Sequence, residues 1–321
     1  VTLLGLLSDG KFHSGDELGK SLGVSRAAVW KQVQKTQEDM GVMIFSVKGK
    51  GYKLQAALEL LDADLIRKWM PEQVLPFVTE LELCSAITST NDYAMKKISM
   101  GTGSGYVCLA EQQTAGRGRR GRKWVSPYGQ NIYLSMVWQF DGGATALEGL
   151  SLATGVAVAK ALNNLGVEAV SLKWPNDIFI GDEKLGGILL EMTGDPAGQC
   201  QVVLGVGINM ELSDAEIKAI GQPAVGVKSL NVDVCRNRLI AEVIGGIIIM
   251  LQEFTEKGFK RFSSEWSALD AYKDAHVVII SGAQDKVGIA KGVDDTGALI
   301  LATSQGQEKI RGGEVSLRAM R

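Results

Sequence analysis

The sequence predicts an α+β chain in three parts: an N-terminal winged helix-turn-helix, a central mixed α/β domain, and a small SH3-like β-barrel at the C-terminus. Three observations predict it. Two short amphipathic stretches flank a Gly23-Val24-Ser25 turn and lead to a basic hairpin. A middle region then mixes β-prone apolar runs with helical spacing. From residue 271 onward the chain is short β-prone runs, most parted by glycine turns. Length agrees, since 321 residues is about two domains at roughly 150 each, or three if some are small. The expected bounds are 1–57, 58–270 and 271–321.

Ser14-Gly15-Asp16-Glu17 has the form of a capping box, in which Ser14 caps a free amide and Glu17 reaches back. Leu18 and Leu22 make an apolar stripe, and Gly23 suits a left-handed helix stop. Ser25 is a second N-cap, and Ala28, Val29 and Val33 bury the second helix. Ile44–Val47 and Tyr52–Leu54 flank Lys48-Gly49-Lys50-Gly51, the basic tip of a wing. Through residue 55 there are eight basic and five acidic residues, so the module is basic in a chain of net charge -2. A module that grips DNA would use Ser25, Arg26, Trp30, Lys31, Lys48 and Lys50, although the Trp30 indole has one donor and cannot read bases bidentately. The alternative is a helical interaction module that touches no DNA. Residues 58–77 carry helical spacing in Leu58, Leu61, Leu65, Ile66 and Trp69.

Several chemistries are disfavoured. The chain has two histidines, His13 and His276, so a Ser-His-Asp triad or a histidine-rich metal site is not expected. Cys84, Cys108, Cys200 and Cys235 form no C-x-x-C pair, which fits a reducing compartment. The longest apolar run is Ile247–Leu251, and no signal peptide is visible, so a cytoplasmic protein without membrane contact is expected. The chain starts at Val1, and a starting methionine and a short leader are expected to precede it. Chemistry then falls to Lys, Arg, Asp, Glu, Asn, backbone amides and a bound metal.

The middle region carries that chemistry. Gly116–Lys123 holds five cations in eight residues, and Trp124 follows. Its glycines oppose helix and allow close backbone approach, and guanidinium groups bond phosphate bidentately. Three readings stand: a lid that an anion orders, an RGG-like RNA tether, or a solvated basic loop. The apolar run at Ile132–Val137 sets the loop inside a folded domain. Ser171–Ile178 is a β-prone run stopped at Pro175, with Lys173 as a point charge for phosphate and Asn176 and Asp177 as oxygen donors to Mg²⁺. It reads equally as an ordinary turn. Lys184 precedes Gly186-Gly187 and an apolar strand to Glu191, in a hairpin with Phe179–Gly181. Gly205-Val206-Gly207-Ile208-Asn209 follows the run Val202–Leu204 as a close-approach loop. Thr88-Ser89-Thr90-Asn91-Asp92 opens a helix, where hydroxyls cap or bind a polar ligand. Positioning and charge neutralisation alone suffice for attack on a nucleoside triphosphate, the chemistry this residue set suits.

In this order the winged helix, Ser89-Thr90-Asn91, Gly116–Trp124 (G-R-G-R-R-G-R-K-W), Lys173–Asp177 (K-W-P-N-D), Lys184–Glu191, Gly205–Asn209 and the β tail resemble the bifunctional biotin protein ligases that also repress biotin-biosynthesis genes. The resemblance covers nearly the whole chain. It implies that biotin and ATP form biotinyl-5′-AMP and that biotin passes to a lysine of a biotin carboxyl carrier protein. It implies biotin contacts from Ser89, Thr90, Asn91, Gln113, Arg117, Gly118, Arg119, Lys184 and Gly205. Nucleotide contacts are implied for Arg117, Arg119, Arg120, Arg122, Trp124, Lys173, Asn176, Asp177 and Asn209. Lys184, Arg119 and Lys173 would be catalytic, and Asp177 a ligand of Mg²⁺. No tightly bound cofactor is implied beyond the substrates biotin and ATP with Mg²⁺. Operator DNA would be the second partner, bound by a homodimer that the adenylate favours. The family often folds a tryptophan over adenine, but residues 210–227 contain none, which leaves Val225 or Val227 for that packing and the adenylate's hold on dimerisation open. A lipoate-type ligase, a biotin sensor without catalysis and an RNA-binding protein are the alternatives.

Overall fold

The computed structural model describes residues 2–281, 285–312 and 315–319. The first module is α1 (Leu3–Leu7), α2 (Gly15–Leu22), α3 (Arg26–Met40) and a hairpin of β1 (Ile44–Val47) and β2 (Gly51–Leu54). Ser14 and Ser25 cap α2 and α3 by accepting from the amides of Glu17 and Ala28, and Gly23 and Gly41 close them at positive φ. Glu17 does not reach back as expected. Its carboxylate faces His13 Nδ1 at 3.4 Å, because His13 is held by its own bridge to Tyr52. Leu4, Leu7, Leu18, Val29, Val33, Ile44 and Leu54 form the module's core, which also takes in Tyr128 from the middle of the chain.

The helix expected across residues 58–77 is shorter. Only α4 (Ala63–Trp69) is an α-helix, capped by Asp62. Leu58 and Leu61 lie in an extended link whose apolar side chains pack at the junction: Leu58 against Gly129, Leu61 against the main core. Burial produced their spacing, not helical periodicity.

The central part continues as β3 (Glu80–Ile87), α5 (Thr90–Ser99), β4 (Tyr106–Gln113), β5 (Ile132–Phe140), α6 (Leu150–Asn164), β6 (Val170–Lys173), β7 (Asp177–Ile180), β8 (Glu183–Gly194), β9 (Cys200–Ile208), α7 (Asp214–Ile220), α8 (Arg236–Lys257) and α9 (Ser263–Leu269). Seven strands form one sheet in the order β3-β4-β5-β9-β8-β7-β6, with β3 and β4 parallel and the other pairs antiparallel. The helices α6 and α8 cover one face with Val156, Leu162, Ile240, Ile244 and Ile247 fully or almost fully buried, and α5 lies on the other face over Cys108, Val137 and Val203. Gly143–Asn164 is long and apolar enough to cross a membrane, a property the search for unbroken apolar runs did not reveal. Most of it is buried against the sheet here.

The link is pinned to α8. Glu59 accepts from the backbone amides of Arg236 and Asn237 at 2.7 and 2.9 Å, a carboxylate at the positive end of a 22-residue helix. Arg236 in turn pairs with buried Glu111 at 2.6 Å. The C-terminal part is β10 (His276–Ile280), β11 (Lys286–Val293), β12 (Leu299–Thr303), β13 (Gly306–Ile310) and β14 (Ser316–Ala319), an antiparallel sheet in the order β13-β12-β11-β10-β14. Its five strands fill the stretch expected to hold short β-prone runs. All four cysteines are free thiols.

Candidate active site

Three strand ends and two loops meet on the face of the sheet that carries α5. Strands β8 and β9 bring three glycines to it, Gly187 opposite Gly207 and Gly205 opposite Leu189. The missing side chains are used at once. A Cβ on Gly205 would sit 2.3 Å from Asn91 Oδ1, and one on Gly207 would sit 2.6 Å from the Trp124 ring. Gly205 therefore makes room for Asn91, and Gly207 lets the Trp124 indole come close against the sheet.

At one end of this floor is a polar pocket. Ser89 caps α5, accepting from the Asp92 amide. Thr90 and Asn91 follow in its first turn and are buried. The Thr90 amide donates to Gln113 Oε1 at 2.8 Å, and Gln113 Nε2 donates to Ser126 Oγ at 3.1 Å. Asn91 Nδ2 donates to Glu191 Oε2 at 2.7 Å. Arg117 closes the rim by pairing with Asp92 and Glu191. Sequence reasoning did not assign Ser135, Ser126, Asp92 or Glu191 here. Ser135 is a polar side chain on the inward face of an apolar strand, a signal that alternation could have supplied.

At the other end is a cationic cluster. Lys184 Nζ bonds Asp177 Oδ1 at 2.6 Å and lies 5.5 Å from the centre of the Trp124 ring. Lys173 Nζ sits over the rings of Phe179 and Tyr272, at 5.2 and 5.3 Å. Burial pushes its ammonium below the ordinary lysine range, Asp177 opposes the fall, and Lys184, Arg318 and Arg122 add to it. Arg318, on β14, is a cation the motif reading did not single out. Asn209 is buried, and its Nδ2 donates to the Lys184 carbonyl at 3.2 Å, so it props the backbone that carries Lys184. Asn176 Nδ2 donates to the Ile188 carbonyl at 2.7 Å, which fixes the turn before Asp177.

One of the three readings of the arginine loop was a lid that an anion orders. Instead the protein supplies acceptors. Arg119 donates to Asn176 Oδ1 at 3.0 Å and to the Val315 carbonyl at 3.2 Å, and Arg122 reaches Ser316 Oγ at 3.5 Å. Gly118 donates its amide to the Arg122 carbonyl at 2.7 Å, tightening the loop, and Arg120 is exposed at positive φ. Val225 and Val227, the residues left for packing on adenine, are buried in the main core. Among the described residues no group of three or more His, Cys, Asp or Glu side chains could hold a metal. A cavity of about 380 Å³ lies on the opposite face, where Ile188 and Leu190 point away from the polar pocket, and Arg119 and Asn176 form its wall toward the site.

On the first module, Arg26 and Lys31 are exposed on α3, and Trp30 is 54% exposed beside them. Lys48 and Lys50 are exposed at the wing tip, with Lys50 over Phe12. Ser25 serves as the cap of α3.

Residues 83–209 match the biotin/lipoate A/B protein ligase family, residues 275–318 the biotin protein ligase C terminal domain, and residues 2–53 an HTH domain. Among solved structures the chain is similar to the biotin protein ligase from Aquifex aeolicus in complex with biotin and ATP, with 28% identity and a TM-score of 0.65 over 75% of this chain and 100% of that one. It is 42% identical over 322 residues to the bifunctional ligase/repressor BirA of Salmonella typhimurium and 40% identical over 321 residues to that of Escherichia coli. Each match covers 99% of this chain and 97% of the relative. The chain belongs to the family of bifunctional biotin ligases and repressors.

Proposed function

We propose that this chain joins biotin and ATP into biotinyl-5′-AMP with release of pyrophosphate, passes biotin to a lysine of a biotin carboxyl carrier protein, and represses biotin-biosynthesis genes through its winged helix. The observation that carries the ligase reading is the pairing of a polar group (buried Thr90 and Asn91 with half-buried Gln113) with a cationic cluster (Lys173, Lys184, Arg119, Arg122) on one glycine floor. The pocket suits an uncharged head that both donates and accepts hydrogen bonds, with Ser89, Arg117, Gly118 and Gly205 shaping its rim. The cluster suits a carboxylate meeting an α-phosphate, where like charges must be neutralised. Lys184 and Lys173 hold those negative oxygens, Arg119, Arg120 and Arg122 serve the nucleotide, and Trp124 and the loop keep water from the mixed anhydride. Asn209 and Asn176 keep the cluster in place.

The donor set fits Mg²⁺ held mainly by phosphate. Asp177 offers one carboxylate and Asn176 one amide oxygen, as an ion that keeps substrate phosphates and waters around it requires. When bound, the ion adds positive charge beside the phosphates. The acceptor lysine brings its own nucleophile, and no enzyme histidine takes part.

The three-part division at 57/58 and 270/271, a cytoplasmic home and a homodimer that spans two operator half-sites complete the reading. The adenylate is both intermediate and corepressor. The test is ATP–pyrophosphate exchange with Mg²⁺ and either biotin, lipoate or no acid. Exchange with biotin alone is expected. Exchange with lipoate alone would make the chain a lipoate-type ligase, and biotin binding without exchange would leave a sensor.

A further inference from the structure

Two hydroxyls and two side-chain amides meet under the first turn of α5, and their protons do not suffice for their contacts. Ser135 is fully buried on β5, in one row across the sheet with Gly205 and Leu189. Its Oγ lies 2.6 Å from Asn91 Oδ1 and 2.7 Å from Thr90 Oγ1. Thr90 Oγ1 lies in turn 3.1 Å from Gln113 Oε1. Three contacts thus share the two protons of Ser135 and Thr90.

The amides are not free to turn. Asn91 Nδ2 faces the Glu191 carboxylate and the Leu189 carbonyl, both acceptors, so Oδ1 faces Ser135. Gln113 Nε2 donates to Ser126 Oγ, whose own proton goes to the Trp124 carbonyl at 3.0 Å, so Oε1 faces Thr90. Gln113 Oε1 already holds the Thr90 amide proton at 2.8 Å. The buried Asn91 Oδ1 depends on Ser135, and leaving it unmatched is the costlier outcome. Ser135 therefore gives its proton to Asn91, and the 2.7 Å contact between the two hydroxyls, closer than the 3.1 Å contact with Gln113, draws the Thr90 proton to Ser135. Thr90 Oγ1 and Gln113 Oε1 are left as two acceptors side by side with no proton between them.

We infer that Ser135 is a positioning residue that commits Thr90 Oγ1 to accept from the ligand, and so selects a head group carrying N–H donors, as the cyclic urea of biotin does and the dithiolane of lipoate does not. This rests on the biotin-ligase reading above. Removing the Ser135 hydroxyl frees the Thr90 proton for Gln113, which closes the acceptor pair and leaves Asn91 Oδ1 unmatched.

The test compares exchange kinetics of the full chain and its Ser135→Ala variant with biotin and with desthiobiotin, which keeps the cyclic urea. KM for both should rise about tenfold, the scale of one hydrogen bond. KM for ATP and kcat should stay within about twofold. Ser135 acts on the ligand through Thr90, so adding Ser135→Ala to Thr90→Val should raise the biotin KM little beyond Thr90→Val alone, the unmatched Asn91 oxygen showing as a lower melting temperature instead. A biotin KM within about twofold of the parent, additive losses in that cycle, or an equal rise in KM for ATP would each overturn the inference. Ser135→Cys keeps the volume with a weaker donor, and its KM should fall between those of the parent and the alanine variant, which serves as the test should the alanine variant fail to fold. A parent protein that exchanges no pyrophosphate with biotin would bring down the ligase reading instead.

Discussion

Lys184 and Lys173 differ in setting and in role. Lys184 is paired with Asp177 and kept under Trp124, whereas Lys173 is buried between two aromatic rings. Loss of a charge aimed at the reacting oxygens costs about 10²–10³ in rate at comparable sites. Lys184→Ala should slow biotin-dependent exchange by at least that factor, and near-parental exchange would remove Lys184 from the site. Lys173 makes a different prediction. Only its protonated form can hold phosphate, and burial lowers its pKa, so its charge is lost as pH rises through a value below the ordinary lysine range. The parent's kcat/KM for ATP should therefore fall on an alkaline limb. Lys173→Arg, charged throughout, should lack that limb. The same limb in both proteins would show that another group sets it.

At the scale of elements, the start of α5 and the strand pair β8–β9 form one fitted unit. The Gly205 backbone and the Asn91 side chain occupy adjoining space, so a methyl group at residue 205 must displace Asn91. Gly205→Ala should lower stability by about 1–3 kcal/mol, seen as a lower melting temperature, and raise the biotin KM as well. An unchanged KM would mean that Asn91 does not shape the pocket. Much of this level was legible in advance. The caps at Ser14, Ser25 and Ser89, the wing hairpin and the β-tail runs are local signals, read from side chains that bond their own neighbouring backbone. The errors came where distant residues intervene. Glu17 turned to His13, which a bridge to Tyr52 holds in reach, rather than to its own helix, and Leu58 and Leu61 were apolar because they pack at the junction with the rest of the chain.

For the whole molecule, the modules touch but divide their work. Tyr128, from the segment after the arginine loop, is buried in the winged-helix core, and Gln112 Nε2 donates to the Met40 carbonyl at 3.2 Å. Arg26 is far more exposed, with only a loose 3.6 Å pairing to Asp16. Arg26→Ala should weaken binding to a biotin-operon promoter and lower the salt dependence by about one phosphate contact per protomer, measured by titration at several salt concentrations. Pyrophosphate exchange should be unchanged. An equal loss of both activities would contradict the division.

The sequence by itself determined the three-part order, the helix caps and the residue types of the site, because capping, turn chemistry and strand alternation act within a few residues of chain. Through the resemblance it also offered Lys184, Arg119, Gln113 and Thr90 as expected ligand contacts. Only the tertiary structure decided which acceptors the arginines take, since Glu191, Asn176 and Val315 lie 57 to 196 residues away along the chain. It alone brought Ser135 beneath Thr90 and Asn91 and turned Val225 and Val227 into the core. Such partners are chosen by the register of a seven-stranded sheet, in which β5 lies beside β9 and so joins segments far apart in sequence.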